Sequence, residues 1–89
     1  MNLDWRIAKA LNHIAVFEVA VDQGSFTKAA KALGTTQPSV SRHIAALEDL
    51  LDLRLFTRLH HRVEITPAGV ELFEAVRLGL DHIRQAVNR

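Results

Sequence analysis

Between Gly24 and Leu51 the chain reads GSFTKAAKALGTTQPSVSRHIAALEDLL, and the breakers inside that stretch leave few ways to fold it. Ser25 can cap a short helix whose Phe26, Ala29, Ala30 and Leu33 share one face, with Lys28 and Lys31 pointing away. Gly34 stops that helix, because glycine takes the left-handed backbone of a helix end without the steric cost of a Cβ. Thr35 and Thr36 are capping candidates for a third helix, over 36–51. Pro38 is tolerated only in its first turn, where the missing N–H has no partner to lose. Val40, Ile44, Leu47 and Leu51 make the core face. Two helices joined by such a tight turn form a helix-turn-helix unit, which cannot close a core alone.

The flanks supply the rest. Ile7, Leu11, Ile14, Phe17 and Val21 recur at spacings of three or four, which predicts an amphipathic helix ending near Gly24. After Leu51 the period changes. LRLF and VEIT are short alternating runs separated by the basic segment Arg58 to Arg62, a pattern that predicts a two-stranded hairpin with its wing at 57–63. Thr66 followed by Pro67 starts another helix, which meets no breaker before the end. The expected fold is mainly α: a winged helix-turn-helix of three helices plus a two-stranded wing over 1–66, then a long linker or dimerisation helix over 67–89.

Bulk properties exclude several functions. Eighty-nine residues, 48% of them hydrophobic, suit one small domain. There is no cysteine for disulfide or thiolate chemistry, and MNLDWRIAK lacks the pattern of a secretion signal, so a cytoplasmic protein without membrane contact is expected. No phosphate-binding glycine loop and no nucleophile with a positioned base occurs, so the chain is not expected to be an enzyme. His60 and His61 are adjacent and point in different directions, with no further ligand at metal spacing; neither a metal nor a cofactor is expected. The net charge is only +1, yet residues 25–62 carry Lys28, Lys31, Arg42, Arg54, Arg58 and Arg62 against Glu48, Asp49 and Asp52.

That local excess coincides with an unusual helix surface. With Val40 pointing inward, Arg42 lies almost opposite, flanked by Pro38, Ser39, Ala45 and Ala46. A narrow, lightly charged face lets a helix approach base edges in a major groove. Arg42 can fork onto guanine O6 and N7, Gln37 can pair with adenine N6 and N7, and Ser39 and Ser41 can reach bases or phosphates. The acidic residues Glu48, Asp49 and Asp52 sit at the far end, so only the N-terminal half should face DNA. Arg58, His61 and Arg62 on the wing, with Thr27, Lys28 and Thr36 near the turn, are the backbone-contact candidates. The bland alternative is a solvated helix start, since Ser, Thr and Gln are common there for capping alone. A second class of function is a protein-interaction or dimerisation module that does not read DNA, favoured by the near-neutral charge.

In the last helix Phe73, Val76, Leu80, Ile83 and Val87 follow the alternating three-four rhythm of a coiled-coil seam, so a homodimer is expected. Gly79 within that seam costs about 1 kcal/mol relative to alanine unless a neighbouring helix approaches closely.

The order and spacing of GSFTKAA, TQPSVS, LE, LF-x-R and T-x-AG resemble the LysR-type transcriptional regulators, from Leu11 to roughly Asn88. The resemblance implies a bacterial DNA-binding domain that pairs two subunits through its linker helix and acts on double-stranded DNA at a pseudo-palindromic site. It places Gln37, Pro38, Ser39, Ser41 and Arg42 at the groove-contacting start of the recognition helix, and Arg58 and Arg62 on the wing. It further implies a C-terminal effector-binding domain outside this chain, which would hold any small-molecule effector, a tetramer at full length, and possible contact with RNA polymerase. The family usually has glycine where Asp52 stands, so Asp52 is expected in a left-handed conformation. Trp5 has no counterpart there and is expected to extend the first helix and pack on the core or a second subunit.

Overall fold

The computed structural model describes residues 5–60 and 62–89. The elements run α1 (Trp5–Gln23), α2 (Phe26–Leu33), α3 (Gln37–Leu51), β1 (Phe56–Leu59), β2 (Arg62–Ile65) and α4 (Pro67–Val87). Three helix starts are closed by the hydroxyls picked out above. Ser25 Oγ accepts the Lys28 N–H at 3.1 Å, Thr36 Oγ1 that of Ser39 at 3.3 Å, and Thr66 Oγ1 that of Gly69 at 3.0 Å. Gly34 ends α2 at φ 68°, and the Gly34 and Thr35 N–H groups turn back to the Lys31 and Ala30 carbonyls. Asp52 ends α3 with φ 52°, the left-handed conformation that aspartate tolerates better than most residues.

α1, α2 and α3 enclose Phe17, Val40, Ile44, Leu47 and Leu55, the largest fully buried side chains. Phe56 stands edge-on to Phe17 and Phe26, with centroids 5.8 and 5.2 Å apart, which ties the root of the wing into the helical core. Glu48 adds a second tie. Its Oε2 accepts the N–H groups of Leu55 at 2.8 Å and Phe56 at 3.3 Å, so a carboxylate at the unfavourable end of the helix dipole is offset by two backbone donors.

Several expectations about side-chain placement are corrected. Ile7 and Leu11 are exposed; they lie on the stripe of α1 that carries Glu18 and Asp22, while Ala10, Phe17 and Ala20 face the core. Trp5 does extend α1 but is 69% exposed, so it does not pack on the core, and Leu33 is also exposed. The first strand begins at Phe56 rather than within 53–56. Leu55 is fully buried, its N–H is held by Glu48 and its carbonyl by the Thr66 N–H, so strand pairing cannot start earlier. Antiparallel register then pairs Arg58 with Val63 and Leu59 with Arg62, placing both arginines on strands instead of in the connecting tip. His61 lies outside the described residues.

α4 packs antiparallel along α1. Arg77 meets Asp22 at 3.0 Å, and one turn or two further on Arg84 meets the buried Glu18 at 2.5 Å and Asp81 at 2.7 Å. The expected seam is divided by this packing. Val76 is buried within its own chain and Phe73 and Leu80 are half-buried, whereas Ile83 and Val87, together with Leu78, stay exposed. A Cβ added at Gly79 would meet no atom within 4 Å.

Candidate nucleic-acid interface

The start of α3 is held rigidly by the Thr36 cap and Pro38, and its outer face presents Pro38, Arg42 and Ala45 to solvent, with Ser39, Ser41 and Ala46 half-buried beside them. No carboxylate interrupts this face before Glu48. Gln37 Nε2 donates to Ser41 Oγ at 2.7 Å, which orients the amide and leaves its Oε1, its second hydrogen and the Ser41 hydroxyl hydrogen for other partners.

That edge borders a groove of ≈ 400 Å³ between α3 and the wing. Thr27, Gln37, Arg58 and Arg62 all line it, so the structure brings together residues from the first turn of α2, the start of α3 and both strands. The Arg58 guanidinium lies 5.8 Å from the centroid of the Phe26 ring, which steers it without using its N–H donors. Arg62 is paired with Glu64 at 3.0 Å, an exposed pair that a phosphate can displace. Lys28 is exposed on α2, and its backbone N–H is already used by the Ser25 cap.

Arg42 does not line this groove. It borders a second concavity, of ≈ 310 Å³, on the opposite flank of α3, together with Ser39, Ala46, His43 and His13. The two histidines were not singled out from the sequence. They lie thirty positions apart on different helices, and neither periodicity nor spacing relates them. Burial, and secondarily the nearby His43, hold the His13 imidazole below its usual pKa.

Known proteins resemble the chain in both sequence and shape. Residues 11–70 match the family model described as bacterial regulatory helix-turn-helix protein, lysR family. The chain is 43% identical over 79 residues to the transcriptional activator protein LysR of Escherichia coli K12, covering 85% of this chain and 25% of that protein. It is 46% identical over 79 residues to the HTH-type transcriptional activator AmpR of Rhodobacter capsulatus, covering 89% and 27% respectively. The chain thus spans about a quarter of the length of these relatives. Among solved structures, the BenM DNA-binding domain in complex with catB site 1 DNA superposes with a TM-score of 0.80 at 36% identity, covering 88% of this chain and 84% of that one.

Proposed function

Because the chain belongs to the lysR family of bacterial regulatory helix-turn-helix proteins, we propose that it binds double-stranded DNA as the DNA-binding domain of a transcription regulator. The observation that carries this reading is the outer face of α3, free of carboxylates at its N-terminal half and bordered by a groove that Arg58 and Arg62 line. A helix so dressed can lie in the major groove. Arg42 then forks onto guanine, and Gln37, oriented by Ser41, reads adenine with its Oε1 and remaining amide hydrogen, with Pro38 and Ser39 at the closest approach. Thr27, Lys28, Thr36 and Ser41 serve the backbone or neighbouring bases, while Arg58 and Arg62 follow the backbone into the minor groove. None of these contacts requires a cofactor. As part of a longer regulator the domain would work in the cytoplasm beside an effector-binding domain, with RNA polymerase as a further partner.

Selection from a random duplex library, followed by a salt titration of the best binder, tests the reading. Lys28, Lys31, Arg42, Arg58 and Arg62 together support a slope of log affinity against log salt of about −3 to −5 per chain. Absence of duplex binding would instead favour the interaction-module reading, for which the exposed Leu78, Ile83 and Val87 are the supporting observation.

Ile83 and Val87, exposed and four residues apart on one face of α4, support pairing of two copies through that helix, which would set two recognition helices on successive major grooves of a pseudo-palindromic site. Ile83 is 59% exposed, so Ile83→Glu leaves the chain's own core intact where Val76→Glu would not. The variant is expected to shift the sedimenting mass at micromolar concentration from dimer to monomer and to weaken duplex binding with it. An unchanged mass would place the seam elsewhere.

A further inference from the structure

His13 and His43 face each other across the α1–α3 junction with their Nδ1 atoms 2.8 Å apart and ring centroids separated by 5.0 Å. One Nδ1 must carry a hydrogen and the other a lone pair. The hydrogen-bonded arrangement therefore accommodates one charged imidazole but not two, because two imidazoliums would turn N–H against N–H. The concavity beside them is lined by His13, Ser39, Arg42, His43 and Ala46, with no carboxylate among them. Lys9 stands one turn before His13 on α1 and is also a cation. Burial and the His43 charge already oppose a proton on His13 in the isolated chain. The charged and titratable side chains that line the concavity are thus all basic, with Asp49 one turn beyond Ala46 the nearest carboxylate along α3, which suits an anion and disfavours a second proton until one arrives.

The place of this pocket on the recognition helix identifies the anion. With Val40 inward, Gln37 and Ser41 fall on the flank of α3 toward the wing groove, while Ser39, His43 and Ala46 fall on the flank toward α1. A helix lying in a major groove about 12 Å wide has a sugar-phosphate strand on each side. Arg58 and Arg62 serve one strand. We infer that His13 and His43, on the α1 side of this pocket, receive a phosphate of the other strand, and that the histidine pair takes up a proton as they do so. With the phosphate seated, each Nδ1–H has an acceptor oxygen and the repulsion between two imidazoliums is offset. This inference rests on the DNA-binding reading and adds to it two contact residues and a pH dependence.

The sign follows from linkage. A complex that holds more protons than its free components tightens as pH falls, by up to about tenfold per pH unit for each proton taken up. The test measures affinity of the 89-residue chain for a mixed-sequence duplex from about pH 8 to pH 5.5, alongside His13→Gln, His43→Gln and the double variant. The wing histidines contribute equally to all four chains, so the difference between wild type and double variant isolates the pair. Affinity of the wild type is expected to rise up to about tenfold per pH unit more steeply than that of the double variant, with a salt slope at low pH larger by about 0.9. The His13 imidazole resonances in the unmodified chain, held low in the free chain, should titrate at higher pH when duplex is bound, a readout that does not depend on any variant folding. Parallel pH profiles with normal duplex binding, or unmoved titrations, would overturn the phosphate pocket while leaving the DNA-binding reading in place. Failure of the folded wild type to bind any duplex across the range would overturn both.

Discussion

Arg42→Ala is expected to weaken binding to the selected duplex about ten- to a hundredfold and to erase preference at one base pair of each half-site, the effect of losing a bidentate arginine–guanine contact. Arg42 is exposed opposite the buried Val40 and supports no packing, so the variant should melt with the wild type. Arg58→Ala offers the contrast. Its groove position suits phosphate contact, so affinity should drop by a similar factor on every sequence while the selected motif stays unchanged. Repeating the library selection with both variants separates the roles. An unchanged motif from Arg42→Ala would show that α3 reads its site through other residues.

Gly69→Ala should lower the melting temperature by about 5 to 20 °C, corresponding to about 1–3 kcal/mol of overpacking. A Cβ at this position, in the first turn of α4, would run into the Leu55 backbone oxygen and stand 2.7 Å from Ile65 Cγ1. Neither obstacle is a flexible side-chain end. The Leu55 carbonyl is fixed by the Thr66 N–H at 2.9 Å, and the Thr66 hydroxyl donates to the Arg54 carbonyl at 2.6 Å. To make room, α4 must lift from the junction between the recognition helix and the wing. Gly79→Ala is the control on the same helix. It meets no atom of its own chain, so relief of the glycine penalty should stabilise an isolated chain by about 1 kcal/mol. Equal melting of Gly69→Ala and wild type, followed by thermal unfolding monitored in circular dichroism, would mean that the junction is more plastic than its hydrogen bonds indicate.

The helix-turn-helix and its caps were legible because each signal acts within one turn of chain. Ser25, Thr36 and Thr66 reach N–H groups three residues on, Gly34 and Asp52 set only their own φ, and Pro38 and Pro67 fit first turns. The outward placement of Arg42 follows equally from helical period once Val40 is inside. The bounds of the wing were less legible. Leu53, Leu55 and their neighbours alternate like a strand, but burial of Leu55 and capture of its N–H by Glu48 delay pairing to Phe56 and carry Arg58 and Arg62 from the turn into the strands.

Local hydrogen bonding and period therefore let the sequence alone specify where helices start and stop, and which side of α3 faces outward. Which apolar stripe of α1 is buried was decided only by the packed structure. Ile7, Leu11, Phe17 and Val21 look equivalent along the chain, yet α3 takes the stripe with Phe17 and the small Ala10 and Ala20, while α4 takes the one with Glu18 and Asp22. The meeting of His13 with His43, the division of the α4 seam and the need for glycine at 69 have the same origin. Each depends on the position of a partner element far away in sequence, and no periodicity encodes a distance between two helices.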